Sequence, residues 1–229
     1  MAFDSWPIDI LIPRDKRFSP MSGAARGGGR TLNGSVRVTN WQAGGLWRGR
    51  YVQVGVYEPE DVLLAEAIEA ILDCGAEPMA IPLLPLGRAP FSNPTGPTPH
   101  SDGSPFSDGG LYGGANIMGV LSTDADCFAT SLAFTWAGPV HILGGDFEVM
   151  SPDGPRAHRI KRFLSREGTS GAFVYEVEVS PPLRCDLIAG ATLDFENPRC
   201  MMRLANPEAF APVLEFGWYG FIDADFVEA

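Results

Sequence analysis

LWRGRYVQVGVYEPEDVLLAEAIEAILDCG, residues 46–75, changes its hydrophobic period at Pro59. Before the proline, Tyr51, Val52, Val54 and Val56 supply β-formers in an alternating stretch. GSVRVTNWQ at 34–42, with Val36 and Val38, alternates too, and Ala43, Gly44 and Gly45 lie between the two. The pattern predicts a hairpin over residues 34–57. After the proline, Leu64, Ile68, Ile71 and Leu72 fall on one face at helical spacing, with Glu66, Glu69 and Asp73 on the other. Pro59 suits a first helical turn, Glu58, Glu60 and Asp61 favour its positive end, and Gly75 stops it. One helix from about 59 to 74, lying against a sheet, is the expectation.

Upstream, PRDKRFSPMSGAARGGGRTLN (13–33) has no hydrophobic period and reads as a long exposed loop. Downstream, MAIPLL (79–84) reads as a strand that Pro82 confines to an edge. Residues 85–114 are rich in Pro, Gly and Ser and predict a linker or contact arm without regular structure. LAFTW, VHIL, FEVM, HRIKRFL, AFVYEVEV, ATLDF and CMMRL then follow at short intervals, separated by turns such as SPDGP and REGTSG. That spacing predicts a sandwich or barrel. The tail from 210 to 229 carries Phe210, Phe216, Trp218, Tyr219, Phe221 and Phe226 and must bury against something.

The expected fold is therefore mainly β with a minor α+β element. It comprises one β domain with a packed helix over 1–88 and an arm over 89–114. A small β sandwich or barrel follows over 115–204, then an aromatic segment over 205–229 that returns to the first domain.

Composition agrees with a folded chain rich in turns: 45% hydrophobic, 20% charged, with Gly 27 and Pro 20 among 229 residues. No run of about eighteen apolar residues occurs. The N-terminus carries acids and a proline where a signal peptide needs a basic start and an apolar stretch, so neither export by that route nor membrane insertion is expected. Cys74, Cys127, Cys185 and Cys200 are widely spaced, without a CxxC pair, and read as free thiols in a reducing cytoplasm. The net charge of −11 argues against general nucleic-acid binding. Its distribution is uneven. Residues 1–57 hold eight Lys/Arg against three Asp/Glu, a balance of +5, and residues 58–229 hold nine against twenty-five, a balance of −16. Such a split lets the basic end of one copy meet the acidic face of another.

Catalytic constellations do not emerge. His100, His141 and His158 are far apart, with no second ligand at metal spacing, and no GxSxG elbow marks a nucleophile. GAARGGGR (23–30) lacks the ending and the strand–helix setting of a phosphate loop. Asp102 and Asp108 fit no calcium loop and read as turn aspartates. Asp124 with Asp126, and Asp223 with Asp225, each share a strand face if extended, where like charges suit a solvated edge. No catalytic residue, cofactor or metal is expected. Two rivals remain: a carbohydrate-binding module stacking sugars on Trp41, Trp47, Trp136 or Trp218, and a metal-dependent hydrolase using His100, Asp102 and His141.

Pro181, Pro182, Leu183 and Arg184, followed by Pro198 and then Met202, Arg203 and Leu204, resemble a module in tail proteins of long-tailed bacteriophages and prophages. The pattern of residues 34–57, then a helix and a strand, is similar to the tube-type domain of phage tail rings. The closest picture is the distal tail protein. The resemblance implies a structural virion component, made in the host cytoplasm, that forms a homo-oligomeric six-fold ring with a channel. Its neighbours would be the tail tube protein and the baseplate hub protein, with genomic DNA passing through unbound. On this reading Arg14, Lys16, Arg17, Arg26 and Arg30 form a basic interface, and Phe91, Phe106, Tyr112, Trp218 and Phe221 are apolar anchors.

Overall fold

The computed structural model describes residues 4–21, 24–30, 36–40, 45–83, 96–98, 112–114, 118–136, 144–169, 172–210, 213–215 and 219–229. The protein is mainly β, with one α-helix among the described residues, a six-stranded closed barrel and a second sheet. In chain order the strands are β1 (Pro13–Pro20), β2 (Ala24–Arg30), β3 (Val36–Asn40) and β4 (Trp47–Val56), then the helix α1 (Pro59–Leu72) and β5 (Met79–Pro82). Next come β6 (Gly96–Thr98), β7 (Tyr112–Gly114), β8 (Met118–Leu121), β9 (Ser131–Trp136), β10 (Asp146–Ser151), β11 (Gly154–Thr169) and β12 (Ala172–Ser180). β13 (Thr192–Asp194), β14 (Arg199–Leu204), β15 (Val213–Glu215) and β16 (Tyr219–Glu228) complete the chain.

Two compact units divide it. The first takes Met1–Leu83, Pro152–Arg156 and Arg199–Ala229, and the second takes Leu84–Ser151 and Ala157–Pro198.

The first unit is a sheet in the order β1-β4-β16-β14-β5, with β15 also on β16. Alternation decides its faces. Trp47, Gly49 and Tyr51 of β4 point into the core, as do Ile222, Ala224 and Phe226 of β16. Tyr51 is the centre of that core. Its ring meets Trp6 at 5.3 Å, Phe18 at 5.4 Å and Phe226 at 5.6 Å, each edge to face. Its hydroxyl donates to the Pro82 carbonyl of β5, and burial pushes the phenol well above its usual pKa range. Gly49 belongs to the same arrangement: a Cβ there would lie 2.1 Å from the Phe18 ring, so only glycine lets Phe18 lie over the strand.

α1 begins where expected, and the Asp61 carboxylate accepts the Tyr57 and Glu58 amides at 3.0 and 3.1 Å. It ends at Leu72, with Asp73 in the left-handed region as its cap. Gly75 has a further role, since at φ +86 its Cβ would sit 2.5 Å from the Leu204 carbonyl. The buried face is Ala65, Ile68 and Leu72, whereas Ile71, expected to be buried, is 42% exposed.

The second unit closes β10-β11-β12-β9-β8-β13 into a barrel, which leaves no open sheet edge. Leu132, Phe134 and Trp136 of β9 and Tyr175, Val177 and Val179 of β12 alternate inward. Phe195 sits among Trp136 (4.8 Å), Phe147 (5.1 Å) and Phe134 (5.9 Å). Outward, Glu178 accepts from Lys161 at 3.1 Å and pairs with Arg162, and the Lys161 hydrogen bond, with Arg162 adding to it, holds its carboxyl below the ordinary range.

Several expectations need correction. Residues 13–33 are not a loop throughout, because Pro13–Pro20 and Ala24–Arg30 are strands. The hairpin over 34–57 does not form: β3 pairs with β2, and β4 pairs with β1 and β16. The reason is that Tyr51 finds its aromatic neighbours, Phe18 and Phe226, on those two strands, where Gly49 also makes room for the Phe18 ring. Within 85–114, Gly96–Thr98 and Tyr112–Gly114 form a short antiparallel pair, and the rest lies outside the described residues. Arg199–Leu204, grouped by sequence with the second domain, pairs with β5 and β16 in the first sheet, where Cys200, Met202 and Leu204 are buried. Phe210 and Phe226 of the tail bury in the first unit, Phe210 6.1 Å from Trp6. VHIL lies outside the described residues.

Tyr51→Phe keeps the ring contacts and strips the buried Pro82 carbonyl of its donor. Urea unfolding should show a loss of about 1–3 kcal/mol with an unchanged denaturant slope; an unaltered midpoint would mean that the hydroxyl bond to Pro82 does not stabilise the fold.

Candidate interaction face

The alternation that sends Trp47, Gly49 and Tyr51 inward sends Arg48 and Arg50 outward. Asp15, Arg17 and Ser19 of β1 share that outer face, as do Asp223, Asp225 and Val227 of β16. The register forms rungs: Arg17, Arg50 and Asp225 stand side by side, and next to them Ser19, Arg48 and Val227. Two arginines directly opposite repel. The carboxylates offset this: Arg50 reaches Asp223 at 3.0 Å and Asp225 at 3.3 Å, while Arg17 reaches Asp15 at 3.3 Å.

A bulge fixes the geometry. Pairing between β4 and β16 shifts between Ile222↔Val54 and Ala224↔Tyr51, so Val52 and Gln53 together oppose Asp223. Gln53 has φ +51, in the left-handed region that a side chain enters at a cost of about 1 kcal/mol. Asp223 holds it there, accepting the Gln53 amide at 2.8 Å on one oxygen and Arg50 on the other. Arg14 adds a bond of 3.2 Å to the Gln53 side-chain carbonyl. One carboxylate thus sets both the strained backbone and the direction of Arg50.

Beside this network runs an open groove of about 530 Å³ lined by Arg17, Ser19, Arg48, Arg50, Asn206 and Asp225 among others. Arg48 is exposed and has no ion-pair partner among the described residues.

A second groove, of about 490 Å³, lies on the barrel at the loop between β8 and β9 and is acidic, with Asp124, Asp126 and Glu176 in its lining. The loop is pinned firmly. Ala125 and Leu187 exchange backbone bonds of 2.9 and 2.8 Å, Phe128 donates to Leu183 at 2.9 Å, and Leu183 donates to Ala129 at 3.0 Å. Asp186 accepts the Cys127 amide and Asp124 accepts the Ala189 amide, both at 2.7 Å. The fixed loop holds Phe128 at φ +66 with 59% of its surface exposed. The Asp126 carboxylate has no hydrogen-bond or ion-pair partner among the described residues, its backbone carbonyl accepting the Ala129 amide at 3.0 Å.

The residues expected to form an interface are distributed as follows. Arg14 and Arg17 join the outer-face network, and Lys16 lies on β1 opposite Tyr51, half-buried. Arg26 and Arg30 lie on β2 and Tyr112 lies on β7. Phe91, Phe106 and Trp218 fall outside the described residues. Phe221 is 40% exposed, with its ring 6.3 Å from Tyr57. Arg48, Arg50, Asp223 and Asp225 were missed as a group, although the alternation of WRGRY already places both arginines on one face.

His158 is buried, and its Nδ1–H donates to the Pro181 carbonyl at 2.8 Å. His100, Asp102 and His141 lie outside the described residues, among which no cluster of metal-ligating side chains occurs. Trp47 and Trp136 are core residues of the two units and offer no surface to a sugar, while Trp41 and Trp218 lie outside the described residues. All four cysteines are free thiols. No described helix is long and apolar enough to cross a membrane.

No protein-family model matches the sequence, and no curated protein matches it significantly.

Asp223→Ala removes the acceptor that holds Gln53 and aims Arg50. Stability should fall by about 1–2 kcal/mol in denaturant unfolding; a fall below a few tenths would mean that the bulge stands without its carboxylate.

Proposed function

We propose that this protein is a structural component of a bacteriophage tail, a ring-forming distal tail protein between the tail tube and the baseplate. The observation that carries the reading is the outer face of β1, β4 and β16. There, charged side chains are spread over a rigid sheet and oriented by a strained bulge, an arrangement suited to fixing the register of a protein neighbour. The sequence resemblance supplies the identity of the assembly. Most of its matched residues are packing residues: Pro181, Pro182, Leu183, Pro198, Met202 and Leu204 are all buried. They speak for a shared framework more than for a shared contact. Arg203 is exposed and donates to the Ala76 carbonyl.

The chain's acidity serves the same role. A channel lined by Asp and Glu repels phosphate and lets DNA pass without adhering. On this reading the chain carries no catalytic residue, cofactor or metal, and its partners are further copies, the tube protein and the hub protein.

Sedimentation velocity over a range of concentrations, combined with negative-stain imaging and peptide mapping of purified particles, tests the proposal. Rings or short stacks, and the chain's presence in the tail fraction, are expected. A strict monomer that is also missing from every particle would overturn it.

A further inference from the structure

We infer that the Arg48 groove on the first unit of one copy receives the Asp126 loop on the barrel of the next, joining copies head to tail. The inference rests on the structural reading above and names the surfaces that would make the ring.

Three observations lead to it. The two grooves are opposite in charge: three arginines, with Asp225 beside them, line one, and Asp124, Asp126 and Glu176 line the other. Each groove contains one exposed charged side chain with neither an ion-pair nor a hydrogen-bond partner among the described residues, Arg48 in the first and Asp126 in the second. The neighbouring charges differ, since Arg50 and Arg17 already have carboxylates, Asp124 already accepts a backbone amide and Glu176 already accepts the Ser165 hydroxyl. Arg48 and Asp126 are therefore the charges left for another molecule.

Both surfaces are also held in place before any contact. The bulge and the aromatic core fix the β4 face, and paired backbone bonds fix the 122–130 loop, so little ordering entropy is lost on docking. Phe128, exposed beside Asp126, supplies an aromatic surface on which an arginine can stack. Because the two surfaces differ, the contact is heterologous, and repeated around an axis it closes a ring or continues as a stack.

A charge swap tests this directly. Arg48→Glu and Asp126→Arg alter exposed side chains without partners, so unfolding midpoints should stay near those of the unaltered protein. Each single change should weaken self-association measured by sedimentation at least ~10-fold and flatten its salt dependence. The double variant R48E/D126R should recover it, as should an equimolar mixture of the two singles, in which copies alternate. Assembly that survives either reversal, or a double variant that does not recover, overturns this contact while leaving the structural role standing. An unaltered protein that never associates at any concentration and is absent from particles overturns both.

Discussion

The first unit depends on how one tyrosine is packed. Tyr51 touches Trp6 from the N-terminal segment, Phe18 from β1 and Phe226 from β16, and it donates its hydroxyl to β5. These partners lie as far as 175 positions away along the chain, so the sheet exists only when distant segments meet at this ring. Each edge-to-face pair adds about 0.5–1.5 kcal/mol beyond buried area, and the hydroxyl must find an acceptor once buried. Gly49 makes room for the cluster by leaving space for Phe18.

Strand geometry transmits that constraint to the surface. Because side chains alternate, fixing Trp47, Gly49 and Tyr51 inside fixes Arg48 and Arg50 outside, in register with Arg17, Ser19, Asp225 and Val227. The bulge at Val52 and Gln53 then keeps Tyr51 and Val54 both buried while accommodating one more residue than β16 provides. Core and outer face are two consequences of one register. The barrel follows a different logic: closure removes its edges, its aromatic residues fill the interior, and the outer carboxylates are left to pair with Lys161 and Arg162 or to face water.

Local pattern made part of this legible. The helix at 59–72 shows its period, its proline and its acidic first turn, and the strands of the barrel alternate plainly. β5 was readable too, as a short apolar run with a proline at one end of the sheet. The strand at 13–20 was not, because Phe18 is its only buried residue and Arg14, Lys16 and Arg17 give it the composition of a loop. That composition suits an edge strand, where charge and proline discourage stray pairing. Pairing partners were the larger gap. Val36, Val38 and the valines of β4 alternate equally well whichever strand they join, and the preference for β1 and β16 comes from aromatic packing that no local window contains. The outer-face site was half visible: Arg14, Lys16 and Arg17 stood out as a basic run. Arg50's link to Asp223 and Asp225, about 170 residues away, depends on the register and the bulge.

The central claim is that the outer face of β1, β4 and β16 is where copies of this protein meet. Electron cryo-microscopy of the assembled protein tests it most directly. The account predicts a map in which Arg48 and Arg50 lie beneath the neighbouring copy's 122–130 loop; an assembly in which that face looks onto open solvent would contradict it.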